Sequence, residues 1–423
     1  MIAYIHRGML AVPARTIQQE LDITDDQMGW ILSGFFWVYA LGQVPSGWLG
    51  ERFGSRIMLP VYAVLWSIAA GGLGVFRSFA GLLTCQLLCG LGQAGLFPCS
   101  MQTVSLWFPK TQRALASGFL GGFMQAGSFA ASVLIAFLLR YWGWSPLFVA
   151  LSTLGLIWAL AFYLWFRDRP EEHGQVTRTE LEEIRAGAEL EPVVPSRNMS
   201  ASARFRVTTW TEIVTSSSMI LIASQQFFRA AGTVFYTTWF PRYLQETRGV
   251  STEHSGYYSG LALVGLVVGS LAGGWISDVI YRQTGSLVFS RKGLSIAGIL
   301  GCALCLTLAF FVDDPLMATI IIAGGAFSSG IASPAAYAIT MDLGGTNVST
   351  VFSIMNMSGN LGAALSPKLV NWLVKACDGR WAPVLLMYAG IYVGSAICWM
   401  LIDPRRPVTS RPEKQESFGE STS

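Results

Sequence analysis

The stretch GWLGERFGSR, residues 47–56, has a counterpart in GGWISDVIYR, residues 273–282. The first follows the second long apolar run of the chain, and the other follows the second long run of the chain's second half. A motif that recurs at matching positions indicates a duplicated membrane architecture, with a binding site near the bilayer midplane between the halves. The sequence therefore predicts two pseudo-symmetric halves of six helices each.

Composition indicates a membrane protein. Of the 423 residues, 52% are hydrophobic and 13% are charged, whereas soluble domains carry about 25% charged residues. So few charges cannot cover a water-facing surface, and we expect an all-α polytopic protein in a lipid bilayer. The net charge of +3 gives no argument for nucleic-acid binding. We expect no cofactor and no metal, because the C-x-x-C of Cys302 and Cys305 lacks a second ligand pair.

Eleven apolar runs are long enough for membrane helices, which need about 20 residues. Only Arg229 interrupts one of them, the run 213–241. Residues 1–14 give a twelfth helix that is too short to cross a bilayer, either truncated or lacking its first half. The other ten predicted spans are 27–50, 57–76, 78–109, 114–139, 141–166, 255–277, 293–312, 315–341, 343–367 and 381–402.

These spans predict four regions. They are an N-terminal six-helix bundle at 1–166, a hydrophilic linker at 167–212, a C-terminal six-helix bundle at 213–402 and a polar tail at 403–423. The linker and the tail carry most of the excess of Lys and Arg, and cytoplasmic segments are enriched in these residues. We therefore expect a monomer in the cell membrane, plasma or inner, with both termini and the linker in the cytoplasm.

The quoted motif predicts a conformational role for Gly47, Glu51, Arg52 and Arg56, and its repeat for Asp278. Glycines allow helices to approach closely. The acid and the arginines can pair with a neighbouring helix end in one conformation and release it in another. Ordinary anchoring charge at the membrane surface is the alternative interpretation. The repeat favours gating.

The motif, the duplicated halves and the central linker resemble the major facilitator superfamily. More narrowly, YIHRGMLAVPARTIQQEL at 4–21, SGFFWVYALGQVPSGWLGERFGSR at 33–56 and LWFPKTQRALASG at 106–118 resemble its anion:cation symporter family. That family includes bacterial transporters for galactonate, hexuronates, glucarate and phthalate, and animal organic-anion carriers. The resemblance covers almost the whole chain and implies alternating-access transport of a small organic anion, such as a sugar acid or another carboxylate.

The resemblance also implies substrate-binding positions. A first-helix arginine matches Arg7, and a seventh-helix arginine twelve residues before a proline matches Arg229. The other implied cavity residues are the neutral hydrogen-bonding side chains Tyr39, Gln93, Asn356 and Asn360. Helix packing is the alternative interpretation for each of these four.

Proton coupling is where the chain departs from the family. Many members carry an Asp before the first-helix arginine and a fourth-helix Glu that takes the proton, but this chain has His6 and Gln93. Glutamine does not titrate. An imidazole titrates near neutral pH, so His6 is the candidate proton site. A neutral hydrogen-bonding histidine is the alternative, and the coupling ion, H+ or Na+, stays open.

Arg7 and Arg229 are the basic residues inside predicted spans. An arginine at a helix centre costs about 2.5–3.5 kcal/mol on insertion scales, and these spans contain no acid to serve as a fixed partner. An unpaired guanidinium suits a site whose counter-ion is the ligand, and it holds a carboxylate by a two-point fork. The alternatives to coupled transport are a facilitative exchanger or uniporter and a non-transporting membrane sensor. The motifs of membrane-bound enzymes are missing, so we expect no enzymatic activity.

Overall fold

The computed structural model describes residues 1–10, 12–186, 207–378 and 380–408. These residues form helices joined by short turns, and no β-strand occurs among them. The tail prediction falls mostly on residues outside these ranges, as does the middle of the predicted linker. The fold class is thus all-α, as the composition predicts.

The first half and the start of the linker contain nine α-helices. They are α1 Ile2–Gly8, α2 Ala14–Leu21, α3 Asp25–Phe53, α4 Ser55–Val75, α5 Phe79–Ala94, α6 Leu96–Trp107, α7 Arg113–Leu138, α8 Trp144–Trp165 and α9 Arg178–Ala186. Helices α5 and α6 together occupy one predicted span.

The described part of the second half contains eight more helices. They are α10 Val207–Thr215, α11 Ser217–Val234, α12 Phe240–Arg248, α13 Thr252–Thr284, α14 Leu294–Phe310, α15 Pro315–Gly344, α16 Val348–Ala376 and α17 Ala382–Leu401. A π-helical turn, Phe235–Trp239, joins α11 to α12, and another, Val288–Gly293, leads into α14. The predicted boundary between 212 and 213 falls inside α10, so the helical break lies at Ser216.

Side chains at the ends of several helices explain where those helices begin. The Thr24 hydroxyl accepts the Gln27 N–H at 3.3 Å, and the Gln27 side chain accepts the Thr24 N–H at 3.1 Å. This capping box satisfies two of the backbone donors that a helix start leaves free. Asp314 does the same for α15, accepting the Met317 N–H at 2.7 Å.

Each of the eleven long predicted spans coincides with helix in the structure. By length and composition, seven helical stretches of the described residues could cross a membrane. One of these stretches, 315–376, contains both α15 and α16. Helix α1 has seven residues, about 10 Å of helix. The count of twelve membrane helices stays a prediction.

Close helix pairs build both halves. Helix α3 packs on α5 and α4 on α8, while α13 packs on α15 and α11 on α16. Glycines permit this approach: Gly90 of α5 lies against the backbone of Phe35, and Gly273 of α13 lies against that of Ile331. Two further pairs, α3 with α16 and α7 with α13, cross between the halves. The division into two bundles stays a prediction.

The contact between α3 and α16 is tight at one end and absent at the other. A side chain at Gly47 would collide with Ser353 and the Ser349 backbone of α16. About five turns away on the same face, a Cβ at Gly29 would meet no atom within 4 Å. Phe36, on the intervening part of that face, is 58% exposed. We call the end that carries residues 47–56 and 273–282 the motif end, and the other end the open end.

Helices α7 and α13 repeat this pattern. Gly274 of α13 lies against the backbone of Ala114 and Leu115 of α7, which leaves no room for a side chain. About five turns away on the same face, a Cβ at Gly256 would meet no atom within 4 Å. The two halves therefore meet at the motif end and diverge toward the open end.

Candidate substrate site

Arg7 lies in a box of three aromatic rings. Its guanidinium carbon is 4.6 Å from the ring centre of Tyr4, 4.9 Å from that of Phe35 and 4.5 Å from that of Tyr39. Tyr4 precedes Arg7 by one turn of α1, while Phe35 and Tyr39 are one turn apart on α3. Each ring attracts the cation through its quadrupole. The rings hold the guanidinium without neutralising its charge.

Gln93 ties this box to α5. It is 1% exposed, its Oε1 accepts the Arg7 Nε–H at 3.2 Å, and its Nε2 donates to the Ala3 carbonyl at 3.1 Å. Both ends of the amide are thus engaged with α1. The structure places Gln93 behind Arg7 as a support, with its hydrogen-bonding atoms turned toward α1.

Arg229 of α11 has several polar partners. It is 7% exposed. Its Nη1 donates to the Ser333 hydroxyl at 2.7 Å, and its Nε and Nη2 donate to Gln226 Oε1 at 3.1 and 2.9 Å. Its Nη2 also approaches the Tyr337 hydroxyl at 3.4 Å. The partners are neutral, so they orient the guanidinium and leave its charge in place.

Two tyrosines connect the arginines. The Arg229 guanidinium carbon is 5.8 Å from the ring centre of Tyr337, and Tyr337 is close enough to Tyr4 to interact with it electrostatically. Tyr337 is in turn held edge-on by Phe97, with ring centres 5.5 Å apart. Tyr4 thus contacts Arg7 and Tyr337 contacts Arg229. In the described ranges, neither arginine forms an ion pair with a carboxylate.

The remaining predicted side chains differ in their surroundings. Asn356 is half-buried on α16 and Asn360 lies one turn further along. The Asn360 Nδ2 is buried without a hydrogen-bond partner in the described structure. His6 points away from the aromatic box: it is 4% exposed, and its Nε2 lies 2.9 Å from the Leu151 carbonyl of α8. Adjacent residues on a helix point about 100° apart, so Arg7 and His6 face different neighbours.

At the motif end, Glu51 reaches across to the other half. Its carboxylate accepts the Thr350 N–H at 2.7 Å and the Thr350 hydroxyl at 2.8 Å. Thr350 lies in the first turn of α16, where free N–H groups and the helix dipole favour a negative charge. Glu51 therefore stabilises contact between α3 and α16 while this end is closed.

Asp278 makes the corresponding contact from the second half. It accepts the Ala114 and Leu115 N–H groups at 3.3 and 2.7 Å, in the first turn of α7. The Arg291 Nη1 donates to it at 2.8 Å, and both side chains of this salt bridge are 0% exposed. Asp278 is thus neutralised by a buried cation, which Glu51 lacks among its described contacts.

The other two motif residues contact their own half. The Arg52 guanidinium lies 5.4 Å from the Trp48 ring centre of the same helix. The Arg56 N–H donates to Asp168 Oδ1 at 2.8 Å, and its Nε donates to the Tyr163 carbonyl at 3.4 Å. Burial raises the pKa of Asp168, while hydrogen bonds from the N–H groups of Arg56 and Ser55 oppose that rise. Arg56 thus lies where α4 begins beside the end of α8.

A family model described as Major Facilitator Superfamily matches residues 1–290 and 284–422. The chain belongs to the Major Facilitator Superfamily. It is a multi-pass membrane protein, and this confirms the resemblance stated from the motifs.

Relatives within the superfamily cover nearly all of the chain. It is 28% identical to the probable sulfoacetate transporter SauU of Cupriavidus necator, over 98% of this chain and 93% of the relative. It is also 28% identical to the D-galactonate transporter of Escherichia coli O6:H1, over 95% of this chain and 92% of the relative. The hexuronate transporter of Bacillus subtilis is 26% identical, over 99% of this chain and 94% of the relative.

Solved structures of superfamily members share the fold. The proton:xylose symporter XylE, bound to 6-bromo-6-deoxy-D-glucose, matches with a TM-score of 0.72, 14% identity and coverage of 95% of this chain and 94% of that one. The E. coli fucose:proton symporter FucP matches with a TM-score of 0.68, 14% identity and coverage of 95% and 96%. At 14% sequence identity, these matches are evidence for the fold but not for a shared substrate.

Three residues that make these contacts were not predicted from the sequence. Tyr4 and Tyr337 lie in apolar runs, where an aromatic residue most often indicates packing. Tyr4 was nevertheless detectable, because it stands three residues before Arg7 and shares its helix face. Arg291 precedes the predicted span 293–312, and only the π-helical turn Val288–Gly293 buries it.

Proposed function

We propose that the protein is a secondary transporter that moves a small organic anion across the membrane by alternating access. The observation that carries this proposal is a pair of arginines in facing halves, Arg7 half-buried and Arg229 buried, neither of them paired with a carboxylate among the described residues. A buried charge is stable only when it is compensated. A bound anion would supply that compensation, and its release would remove it.

The asymmetry between the two ends supports the alternating-access part of the proposal. The halves touch at the motif end, through Glu51 and Asp278, and separate toward the open end. Exchange of the closed and open ends would expose the arginines to the other side of the membrane. We further propose that the motif end faces the cytoplasm, together with both termini, and that a monomer in the cell membrane is the working unit.

The charge of the site favours a substrate with two acidic groups. Arg7 and Arg229 carry two positive charges, separated by the rings of Tyr4 and Tyr337. A dicarboxylate or a sulfonated carboxylate would meet one guanidinium at each end, whereas a monocarboxylate would leave one cation unpaired. Curated relatives are named as transporters of galactarate and D-glucarate and of sulfoacetate, which have two acidic groups. Others are named for D-galactonate and hexuronate, which have one.

Thermal unfolding in the presence of D-glucarate, sulfoacetate, D-galactonate and D-glucuronate would rank these acids, because a bound ligand raises the melting temperature. Uptake of the labelled acid into proteoliposomes would then measure transport. We expect saturable uptake, with the two diacids ahead of the monoacids. Saturable uptake would eliminate a sensor role, whereas ligand binding without uptake would favour it.

Arg7→Ala and Arg229→Ala test the carrying observation. Each should weaken binding at least about 30-fold, because removing one partner of a buried charge pair costs about 2 kcal/mol or more. Arg242→Ala is the matched control, since Arg242 is half-exposed and pairs with Glu246 on its own helix at 2.6 Å. Unchanged affinity in either site variant, with folding intact, would remove that arginine from the site.

A second candidate is transport without proton coupling, by exchange or uniport. The observations that favour it are the engagement of both ends of the Gln93 amide with α1 and the orientation of His6 toward α8. No carboxylate contacts Arg7 in the described ranges to take a proton beside the substrate. A pH-sensitive dye inside the proteoliposomes would decide: alkaline or acid shifts that track uptake contradict uncoupled transport.

A further inference from the structure

We infer that Gln43 is a specificity-determining residue that reads a hydroxyl group of the substrate. This inference rests on the proposed function and names one more contact in the same site. Gln43 lies on α3, one turn beyond Tyr39 and one turn before Gly47, on the helix face that these residues share. Tyr39 belongs to the aromatic box, and Gly47 contacts α16 at the motif end. Gln43 therefore lies in the floor between the arginine site and the closed interface.

The Gln43 amide has no protein partner there. The residue is 0% exposed, and within the part of the chain that the structure describes, neither its Nε2 nor its Oε1 makes a hydrogen bond. A buried amide left unpaired is costly, and most such groups in proteins are satisfied. The cost is removed if a ligand supplies the missing donor and acceptor during the transport cycle.

Two glycines near Gln43 on α3, Gly42 and Gly47, show which groups surround this part of the helix. On one side, the adjacent Gly42 packs against the apolar side chains of Ala94 and Leu91 on α5. On the other side, the Ser353 hydroxyl already donates to the Ser349 carbonyl of its own helix at 2.7 Å. Asn356, one turn from Ser353 toward the open end, makes no hydrogen bond to the described residues. Gln43 from the first half and Asn356 from the second half thus each contribute an amide without a hydrogen bond to the described residues, on the open-end side of the contact between Gly47 and Ser353.

A free amide offers one donor group and one acceptor, and a hydroxyl supplies both complements. A carboxylate only accepts, and it is already matched by the arginines. The geometry therefore points to the hydroxyl groups of a sugar acid as the partner of Gln43. A site built to bind a substrate hydroxyl also rejects an analogue that lacks it, because the polar group of the site then stays unpaired.

Gln225 provides a matched control. It is also 0% exposed, and both of its amide atoms lack hydrogen bonds within the described residues. Its backbone carbonyl accepts the Ser395 hydroxyl of α17 at 3.1 Å, and Gly232, on the same helix face, packs against Tyr392 of α17. Gln225 thus packs toward α17 inside the second half, one turn before Arg229, and it does not belong to the face of α3 that carries Tyr39, Gln43 and Gly47.

The experiment compares Gln43→Leu and Gln225→Leu with the unmodified protein in proteoliposomes. Uptake of labelled D-glucarate is measured against uptake of labelled adipate, the same six-carbon diacid without hydroxyl groups. We expect Gln43→Leu to lower the ratio of D-glucarate to adipate uptake roughly tenfold, through loss of one hydrogen-bonded contact. Gln225→Leu should leave the ratio unchanged.

Thermal unfolding of the same variants separates specificity from packing. Replacing an unpaired buried amide by an apolar group of similar size is neutral or stabilising, so both variants should unfold at or above the temperature of the unmodified protein. An unchanged ratio in Gln43→Leu, or an equal change in both variants, would overturn the assignment. If the unmodified protein takes up neither D-glucarate nor adipate, this assignment is overturned, whereas saturable uptake of sulfoacetate, D-galactonate or D-glucuronate would leave the proposed function standing.

Discussion

The half-buried Arg7 and the buried Arg229 lie in facing halves of the molecule, yet they are held in different ways. Arg7 is surrounded by aromatic rings and has a hydrogen bond to Gln93. Arg229 is held by Gln226, Ser333 and the hydroxyl of Tyr337. Arg229 donates from all three of its guanidinium nitrogens to oxygen acceptors. Around Arg7 the ring faces of Tyr4, Phe35 and Tyr39 dominate, and the hydroxyls of Tyr4 and Tyr39 also interact with the guanidinium. We expect Arg7 to keep more of its donors for a ligand and Arg229 to contribute mainly a positioned charge.

The carboxylates at the motif end show a similar division. Glu51 and Asp278 both contact the first turn of a helix in the other half. Asp278 is also neutralised by the buried Arg291, and a second salt bridge, Arg113 with Asp342 at 2.7 Å, lies alongside it. Each of the two carboxylates thus lies at the first turn of a facing helix, but only Asp278 has a cationic partner among the described contacts.

The largest expected effect is on this carboxylate pair. Asp278→Asn should lower the free energy of unfolding by about 3 kcal/mol, because it removes the nearer of the two carboxylates beside the buried Arg291 and leaves only Asp342, whose Oδ2 lies 3.9 Å from the Arg291 Nε. Glu51→Gln should cost about 0.3–2 kcal/mol, since it removes only a charge near a helix N-terminus. Thermal unfolding in detergent would measure both, and equal losses would contradict the difference between the halves.

A smaller effect is expected when each arginine is replaced by lysine, which keeps the positive charge but cannot make two parallel hydrogen bonds to a carboxylate. Arg7→Lys should weaken anion binding about tenfold, because lysine cannot form the two-point contact with a carboxylate. Arg229→Lys should weaken binding only about threefold and lower the unfolding temperature instead, since Gln226 and Ser333 lose partners. Affinity from a ligand-induced thermal shift would test this. A larger affinity loss at Arg229 would reverse the assignment of roles.

Gln93→Glu sharpens the comparison by adding an acid beside Arg7. The introduced carboxylate, when ionised, would pair with Arg7 and compete with the substrate anion, so binding should be weaker at neutral pH. Protonation would release Arg7, and binding should strengthen as the pH falls through the pKa of the new carboxyl. Affinity measured between pH 5 and pH 8 would reveal this slope. A pH profile identical to that of the unmodified protein would show that residue 93 does not influence Arg7.

The smallest effect is expected for His6→Gln. The glutamine Nε2 can still donate to the Leu151 carbonyl, so uptake should change less than about twofold at any pH, within the cost of one altered hydrogen bond. A flattened pH profile in this variant would instead identify His6 as the proton site. Gln225→Leu changes a residue that is also buried but lies on α11 in the second half, and it is a suitable control for general packing effects.

Much of the fold was predictable because membrane helices leave a strong signal. Long uncharged runs gave the positions of the helices, and the repeat at 47–56 and 273–282 indicated duplication. The ends were less predictable: α12 continues to Arg248, well past the predicted span 213–241, since an amphipathic helix end outside the bilayer needs no apolar run. The π-helical turn Val288–Gly293 had no signal either.

The site was predictable only where charge decided it. Arg7 and Arg229 stood out because a guanidinium in an apolar run is costly. The sequence identified Gln93 and His6 as candidates. It could not predict which way their side chains point, because this depends on which neighbouring helix each side chain contacts. Tyr337 was missed because nothing in an apolar run distinguishes a ring that contacts an arginine from one that packs only against other apolar side chains.

The sequence by itself determined an all-α membrane protein with two arginines in apolar spans and no carboxylate partner in those spans. Hydrophobicity and charge fix these features locally, residue by residue. Only the tertiary structure decided that aromatic rings enclose Arg7, that oxygen acceptors hold Arg229, and that Gln43 lies unpaired in the floor between them and the motif end. Those facts depend on how α1, α3, α15 and α16 pack, and packing joins residues that are hundreds of positions apart in the chain.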